Sequence, residues 1–348
     1  LDQATIDDVL ERMAEQYVPW QEASFPGLLG NVVAGRITKH LNLGGTNCVV
    51  DAACASSLSA VHLAMLELQA GKSDLVISGG VDTFNDIFMF MCFSKTPALS
   101  PTGNAKPFDA SGDGTILGEG LGMVALKRLS DAERDGDRVY AVIKGIGASS
   151  DGKGDAIYAP SAKGQVKALK RAYEQAQIDP LSIELVEAHG TGTAKGDAVE
   201  VSALTEVYGS AKNGPWCAIG SVKSQIGHTK AAAGSAALIK ATLALYNKVI
   251  PPTIKVTDPL GPLKTKDSAF YANTKLRPWL PREAHPRRAA LSALGFGGSN
   301  FHAVLEEHGS NKVAPDWSGN VEILSFSADS PQSLETALAD FPASERWS

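Results

Sequence analysis

Apolar and polar positions along the chain fall into two rhythms. Short continuous apolar runs read as strands buried on both faces. They are Asn47 to Val50, Leu75 to Ser78, Met123 to Leu126, Val139 to Gly147, Leu185 to Ala188, Cys217 to Gly220 and Ala289 to Leu294. Between them lie longer stretches with a helical period. Ser56 to Ala70 sets Leu58, Val61, Met65 and Leu68 on one face and has Gly71 as its stop. Lys163 to Gln177, Ala198 to Tyr208 and Ala231 to Asn247 follow, the last so rich in alanine that it reads as packed between sheets. Strands alternating with helices predict an α/β fold.

Glycine sharpens this picture. The 34 glycines among 348 residues are about one residue in ten, against a usual 7% or so. They cluster where apolar runs end or helices open, at Gly79-Gly80, from Gly112 to Gly122, at Gly145 and Gly147, at Gly190, Gly192 and Gly196, and at Gly295, Gly297 and Gly298. Such clusters mark strand–loop–helix junctions. From Gly309 the texture changes to NKVAPDWSGN and a polar, proline-bearing tail, which reads as a linker.

Composition excludes several classes of function. A hydrophobic share of 44% and a charged share of 20% fit an ordinary globular protein. The formal charge of -6 would repel a phosphate backbone, so nucleic acid is not an expected partner. The most apolar stretch, Ala231 to Tyr246, is interrupted by Lys240 and is shorter than the roughly 20 residues a membrane span requires. Four cysteines without a CxxC pair suit neither a disulfide framework nor a zinc site and point to a reducing, cytoplasmic compartment. The chain opens on Leu1 with no signal-like segment, so a fragment or excised domain is expected.

Three residues stand where chemistry is placed in α/β folds. Cys54, in CVVDAACASSLSAVHLAM, lies where an apolar strand turns into a helix, among small neighbours that leave room for a substrate. The positive end of a helix dipole there predicts a lowered thiol pKa. Cys48, Cys92 and Cys217, in apolar contexts, read as structural. His189 closes an apolar strand ahead of a glycine–threonine loop, and His228 follows another strand at the start of the alanine-rich helix, with Lys223 five residues upstream. Taken singly, each histidine reads as a loop residue or a satisfied core group. Beside a helix-capped cysteine, two strand-end histidines suggest one site. SALGFGGSNFH offers unobstructed backbone amides around Phe296, suited to an oxyanion hole or a gate, or equally to a plain turn. GDGTILGEG lacks the spacing of a phosphate-binding loop.

Four ordered motifs, DAACASS, EAHGTGTAKGDAVE, SVKSQIGHTKAAAG and GFGGSNFHAVLE, together resemble the β-ketoacyl synthases of fatty acid and polyketide synthesis. The spacing also agrees, with His189 lying 135 residues after Cys54 and His228 another 39 on. GNVVAGRI, SKTPALSP and PPTIKV are most similar to ketosynthase domains of multidomain polyunsaturated fatty acid synthases of the iterative type I polyketide kind. The resemblance covers residues 1 to 308, beyond which the tail is similar to the start of a linker to an acyltransferase domain. It implies a thiolase-like fold of two similar βαβαβαββ halves in five layers, and a homodimer. The halves would be residues 1–145, with Cys54, and 146–308, with His189 and His228, followed by linker at 309–348. Relatives carry roughly a hundred residues ahead of the stretch that Leu1 opens, so the first half is expected to be truncated.

The resemblance also assigns roles. Cys54 would be the acyl-accepting nucleophile, and His189 and His228 would bind the malonyl thioester carbonyl. The amides of Cys54 and Phe296 would hold an oxyanion, with the Phe296 loop as gate. Lys223 would orient the site, Thr191 and Thr193 would touch a pantetheine arm, and Asp197 and Glu200 would anchor their loop. No metal or organic cofactor is implied beyond the phosphopantetheine arm that an acyl carrier protein brings. Arg277, Arg282, Arg287 and Arg288 form a basic strip that is either a carrier-docking face or a solvated loop. A thiolase would need a second cysteine late in the chain, and none follows Cys217. The remaining alternative is a condensation-inactive scaffold or chain-length partner, in which the nucleophile is usually replaced.

Overall fold

The computed structural model describes residues 2–309, apart from 18, 97, 154, 155, 158 and 283, together with residues 326–340. The chain divides into two units, Leu1–Ser310 and Asn311–Ser348. In the second unit the described residues hold the helix Pro331–Ala339, capped by Ser330, whose side chain accepts the Ser333 amide. The rest of the predicted linker lies outside the described residues.

In the first unit the strands are β1 (Leu75–Asp82), β2 (Gly120–Lys127), β3 (Val142–Ser150), β4 (Leu185–Glu187), β5 (Cys217–Gly220), β6 (Val249–Ile250), β7 (Phe270–Ala272), β8 (Arg277–Pro278), β9 (Arg288–Gly295) and β10 (Ser299–Glu306). Six of them form one sheet in the order β3-β10-β9-β4-β5-β7. Strands β9, β4, β5 and β7 run parallel, while β10 is antiparallel to both β9 and β3. Strands β1 and β2 make a separate antiparallel pair, and β6 with β8 a short one.

The order of elements explains the layers. From β3 onward the chain alternates strands with the helices Ala162–Ala176, Ala194–Tyr208 and Ala233–Asn247 and ends on β9 and β10, the expected βαβαβαββ pattern with β6, β7 and β8 inserted ahead of β9. Ala162–Ala176 and Ala194–Tyr208 cover one face of the large sheet, where Leu169, Tyr173, Val201 and Leu204 pack on Val186, Ile219, Ala290 and Val304. Its other face meets the helices Ser56–Gln69 and Ala233–Asn247 through Leu58, Val61, Leu238 and Leu245. Val124 and Leu126 of β2 close over those helices from the far side. Four layers result. The fifth expected layer is not formed by the described residues, and on the outer face of the β1–β2 pair Leu75 and Leu121 stay 48% and 70% exposed.

One predicted strand is absent. Asn47 to Val50 has no ladder partner, and Val49 is exposed. In the second half the corresponding strand β5 reaches β9 only through β4 between them. Among the described residues nothing fills that intermediate place in the first half. An extended segment becomes a strand only where a neighbour takes its amide and carbonyl groups.

Candidate active site

Cys54 is held by bonds local to its own turn. The Ala53 amide donates to Asp51 Oδ1 at 2.8 Å, while Ser56 Oγ accepts the Ala52 amide at 2.9 Å and donates to the Ala53 carbonyl at 2.7 Å. These bonds keep Ala53 at φ +50°, a left-handed conformation that costs about 1–2 kcal/mol without such support. Cys54 then sits in a 3-10 turn, Ala53–Ala55, just ahead of the Ser56–Gln69 helix. The end of β9 passes so close that a Cβ on Gly295 would lie 2.1 Å from the Ala52 carbonyl oxygen. Only glycine permits that approach.

The predicted lowering of the thiol pKa does not prevail. Cys54 is 6% exposed, and burial pushes its thiol up. Lys223 and the amides of Phe296 and Cys54 pull it down, while Asp82 pushes it further up. Desolvation outweighs these because the sulfur is out of water and precedes the first turn of the α-helix, where the dipole acts most strongly. At neutral pH the resting group is therefore a thiol.

The histidines face each other across the same space. Their ring centroids lie 5.4 Å apart, nearly perpendicular at 85°. His189 Nδ1 accepts the Leu294 amide at 3.3 Å, and His228 Nδ1 accepts the Lys230 amide at 3.2 Å. Each bond leaves the ring proton on Nε2, so both neutral rings present an N–H donor. Burial foremost, and then the charge of Lys223, hold both rings well below the ordinary histidine value.

The backbone of His189 is clamped from both sides. Its amide and that of Gly190 donate to the two oxygens of Glu200 at 2.7 and 2.8 Å, and its carbonyl receives Lys223 Nζ at 2.5 Å. Asp197 accepts the Phe108 amide at 2.8 Å and the Gly192 amide at 3.2 Å, tying the loop after β4 to the first half. Burial raises the pKa of both carboxyls, that of Asp197 to about 7, and lowers that of Lys223. The acids and Lys223 thus behave as anchors of the loop.

Cys54, His189, His228, Thr191, Thr193 and Phe296 line one cavity of about 260 Å³. Thr191 and Thr193 share a hydrogen bond of 2.9 Å between their hydroxyls at its wall. Phe296 is 45% exposed and stacks on Phe93 at 6.3 Å between centroids, followed by Gly297 and Gly298 at φ +89° and +82°. Lys223 stands behind the cavity, at the His189 carbonyl. The sequence reading missed Phe93, although its place in the apolar IFMFMCF run was a usable signal.

This arrangement can accept an acyl group on sulfur and offer two N–H donors to a second carbonyl beside it. The family model for the beta-ketoacyl synthase N-terminal domain matches residues 6–132, and that for the C-terminal domain matches residues 140–257. The chain belongs to the β-ketoacyl synthase family. This ketosynthase chain is 48% identical over 304 residues, 86% of its length, to a polyunsaturated fatty acid synthase polypeptide of Thraustochytrium sp., and spans 11% of that protein. It is 40% identical to a mycocerosic acid synthase-like polyketide synthase of Mycolicibacterium smegmatis, over 91% of this chain and 15% of that one. Among solved structures it is similar to a ketosynthase from module 6 of the bacillaene synthase of Bacillus subtilis 168, with a TM-score of 0.78, 42% identity, and coverage of 80% of this chain and 50% of that one. It therefore has the thiolase-like α/β fold.

The basic strip divides into exposed Arg277 and Arg282 and the more buried Arg287 and Arg288. Arg282 donates to Glu184 at 2.5 Å, and Arg287 and Arg288 donate to Glu307 and Glu306, both at 2.8 Å. Arg277 lies over the Tyr271 ring at 5.3 Å. Arg287 is buried, so the alternative of a solvated loop fails there. Among the described residues no helix is long and apolar enough to cross a membrane.

Proposed function

We propose that this chain is a condensing enzyme that joins a Cys54-bound acyl group to the two-carbon unit of a malonyl carrier protein, in chain elongation of the polyunsaturated fatty acid or polyketide type. The observation that carries this reading is one cavity lined by a buried thiol and two neutral imidazoles, whose Nδ1 atoms are taken by backbone amides so that their Nε2–H groups are left for substrate.

In the first step Cys54 Sγ attacks the thioester of an acyl carrier protein. The amides of Cys54 and Phe296 stabilise the tetrahedral oxyanion. The pantetheine sulfur leaves with the proton that Cys54 gives up, so one thioester replaces another. In the second step malonyl thioester binds with its carbonyl oxygen on the Nε2–H groups of His189 and His228. Its carboxylate departs as carbon dioxide, and the electron pair left behind is held as an enolate by those donors. That carbon attacks the Cys54 thioester, and the thiolate released takes a proton from solvent. The product is a β-ketoacyl carrier protein two carbons longer.

The phosphopantetheine arm belongs to the carrier, and the thiol and imidazoles supply the chemistry without a resident cofactor. Thr191 and Thr193 line the arm's route, and the Phe296 loop opens to admit it. The partners of this reading are acyl and malonyl carrier proteins, an adjacent acyltransferase domain and a second copy of the chain in a cytoplasmic homodimer. One solved neighbour is a PfaC keto synthase-chain length factor, at 41% identity and a TM-score of 0.74. A condensation-inactive role for this chain is disfavoured by the presence of Cys54 in its cavity.

The test supplies acyl and malonyl carrier proteins and follows carbon dioxide and product mass. His189→Ala and His228→Ala are each expected to lower decarboxylation about 10²–10³-fold while Cys54 is still acylated. Acylation without any decarboxylation in the unaltered protein would overturn the condensing reading in favour of the inactive one.

A further inference from the structure

Lys230 follows His228 by two residues but sends its side chain into the other half of the molecule. Its Nζ lies 3.0 Å from Asp82 Oδ1 and donates to Asn85 Oδ1 at 2.6 Å and to the Gly118 carbonyl at 2.9 Å. Three oxygens thus satisfy a group with three N–H donors, at a side chain only 7% exposed. Asp82 closes the circuit, because its Oδ2 accepts the Ala231 amide at 3.2 Å. Asp82 ends β1 and Gly118 precedes β2, so every side-chain bond of Lys230 crosses from the histidine-bearing half to the cysteine-bearing half.

The backbone of Lys230 is as constrained as its side chain. It stands at φ +47°, and its amide is the donor that fixes His228 Nδ1. A lysine gains nothing locally from the left-handed region, so a hold elsewhere has to keep it there. The first half repeats the device. Ala53 stands at φ +50° in the turn that carries Cys54, and Asp51 Oδ1 receives its amide. The turns of Cys54 and His228 therefore each contain one left-handed residue other than glycine that an aspartate pins, but for Lys230 the aspartate belongs to the opposite half.

We propose that Lys230 and Asp82 form a positioning strut that aims the Nε2–H of His228 into the cavity and sets the charge balance felt by Cys54 from the far side of the site. Its catalytic consequence rests on the condensing function proposed above; its effect on the thiol does not. The charged groups acting on Cys54 are Lys223, which favours the thiolate, and Asp82, which opposes it. Those acting on His228, besides burial, are Lys223 and Lys230, and both keep the ring neutral.

The experiment measures the pH dependence of Cys54 alkylation by iodoacetamide in the intact protein, with the Cys54 peptide quantified by mass spectrometry, and beside it malonyl decarboxylation. Asp82→Asn keeps the size of the side chain and one of its two acceptor oxygens while removing the charge that faces Lys230, and its circular dichroism is recorded beside the unaltered protein so that only folded variant is compared. It is expected to move the alkylation midpoint down and to lower decarboxylation about tenfold. Lys230→Met is expected to lower decarboxylation equally without moving the midpoint down. Asp82→Glu restores the charge and with it the original midpoint. An unchanged midpoint in Asp82→Asn, or a midpoint moved down in Lys230→Met as well, would overturn the strut, as would undiminished decarboxylation in both variants. If the unaltered protein does not decarboxylate at all, the condensing reading fails, and the alkylation midpoints still decide the strut.

Discussion

The half that carries the histidines is packed on both faces of its sheet, whereas the half that carries Cys54 leaves one face open. Strands β4 and β5 are buried at every position, while β1 and β2 alternate between positions turned to the central helices and exposed ones such as Leu75 and Leu121. Cys54 is nevertheless held in place, because the better-packed half adds its own supports to the bonds within the Cys54 turn. Ser57 Oγ accepts the Ser235 amide at 2.9 Å, Gly295 backs the Ala52 carbonyl, and Lys230 reaches Asp82. The geometry of the site is thus a property of the junction between the halves, and damage to the junction should matter more than damage to the open face.

The largest effect is expected where the halves come closest. Gly295→Val puts a side chain into the space of the Ala52 carbonyl and should slow Cys54 acylation more than about a hundredfold, measured as the rate of acyl mass gain in folded protein. A rate near that of the unaltered protein would mean that Cys54 does not depend on the β9 edge. Next comes a pair of leucines. Leu204→Ala, at a position with no exposure, should cost about 2–5 kcal/mol of stability, whereas Leu121→Ala, at 70% exposure, should cost less than about 0.5 kcal/mol. Denaturant titration checks both, and equal losses would show that the open face is covered in solution.

The effects of pH are spread over the widest range of conditions and so are the smallest per step of the titration. Both site histidines are held below the ordinary value of 6.5, so the folded state binds fewer protons than the unfolded one below that pH. Stability from them falls as pH drops through 6.5, and decarboxylation shows no histidine limb above it. Asp197 acts in the opposite sense. Its carboxyl is raised from 3.8 to about 7 by burial, so the folded state keeps a proton that the unfolded chain loses. Stability from this group falls as pH rises through that window and levels off above its upper end. Asp197→Asn should remove that slope, seen as a stability difference from the unaltered protein that grows from mildly acidic to mildly alkaline buffer.

Much of this was legible in the residues themselves. The apolar run Cys217 to Gly220 is strand β5 to the residue, and the alanine-rich stretch after His228 does pack between sheets. Strand β10 was hidden because Gly297 and Gly298 make its start read as a loop, although AVL within FHAVLE is a short apolar run of the kind that strands buried on both faces show. Asn47 to Val50 misled for the opposite reason, since its pattern is that of a strand but pairing depends on neighbours remote in sequence. At the site, spacing and residue type pointed to Cys54 and both histidines. The sign of the thiol shift was not legible, because desolvation depends on what surrounds the sulfur in space. The Lys230–Asp82 strut was invisible for the same reason, as 148 residues separate its ends.

The covalent step is the most direct test of Cys54. Intact protein incubated with a long-chain acyl carrier protein should gain the mass of one acyl group per chain, and the gain should vanish in Cys54→Ala. An acyl group that persists on the Cys54→Ala protein, or a folded unaltered protein that gains none, would contradict the assignment of Cys54 as the nucleophile.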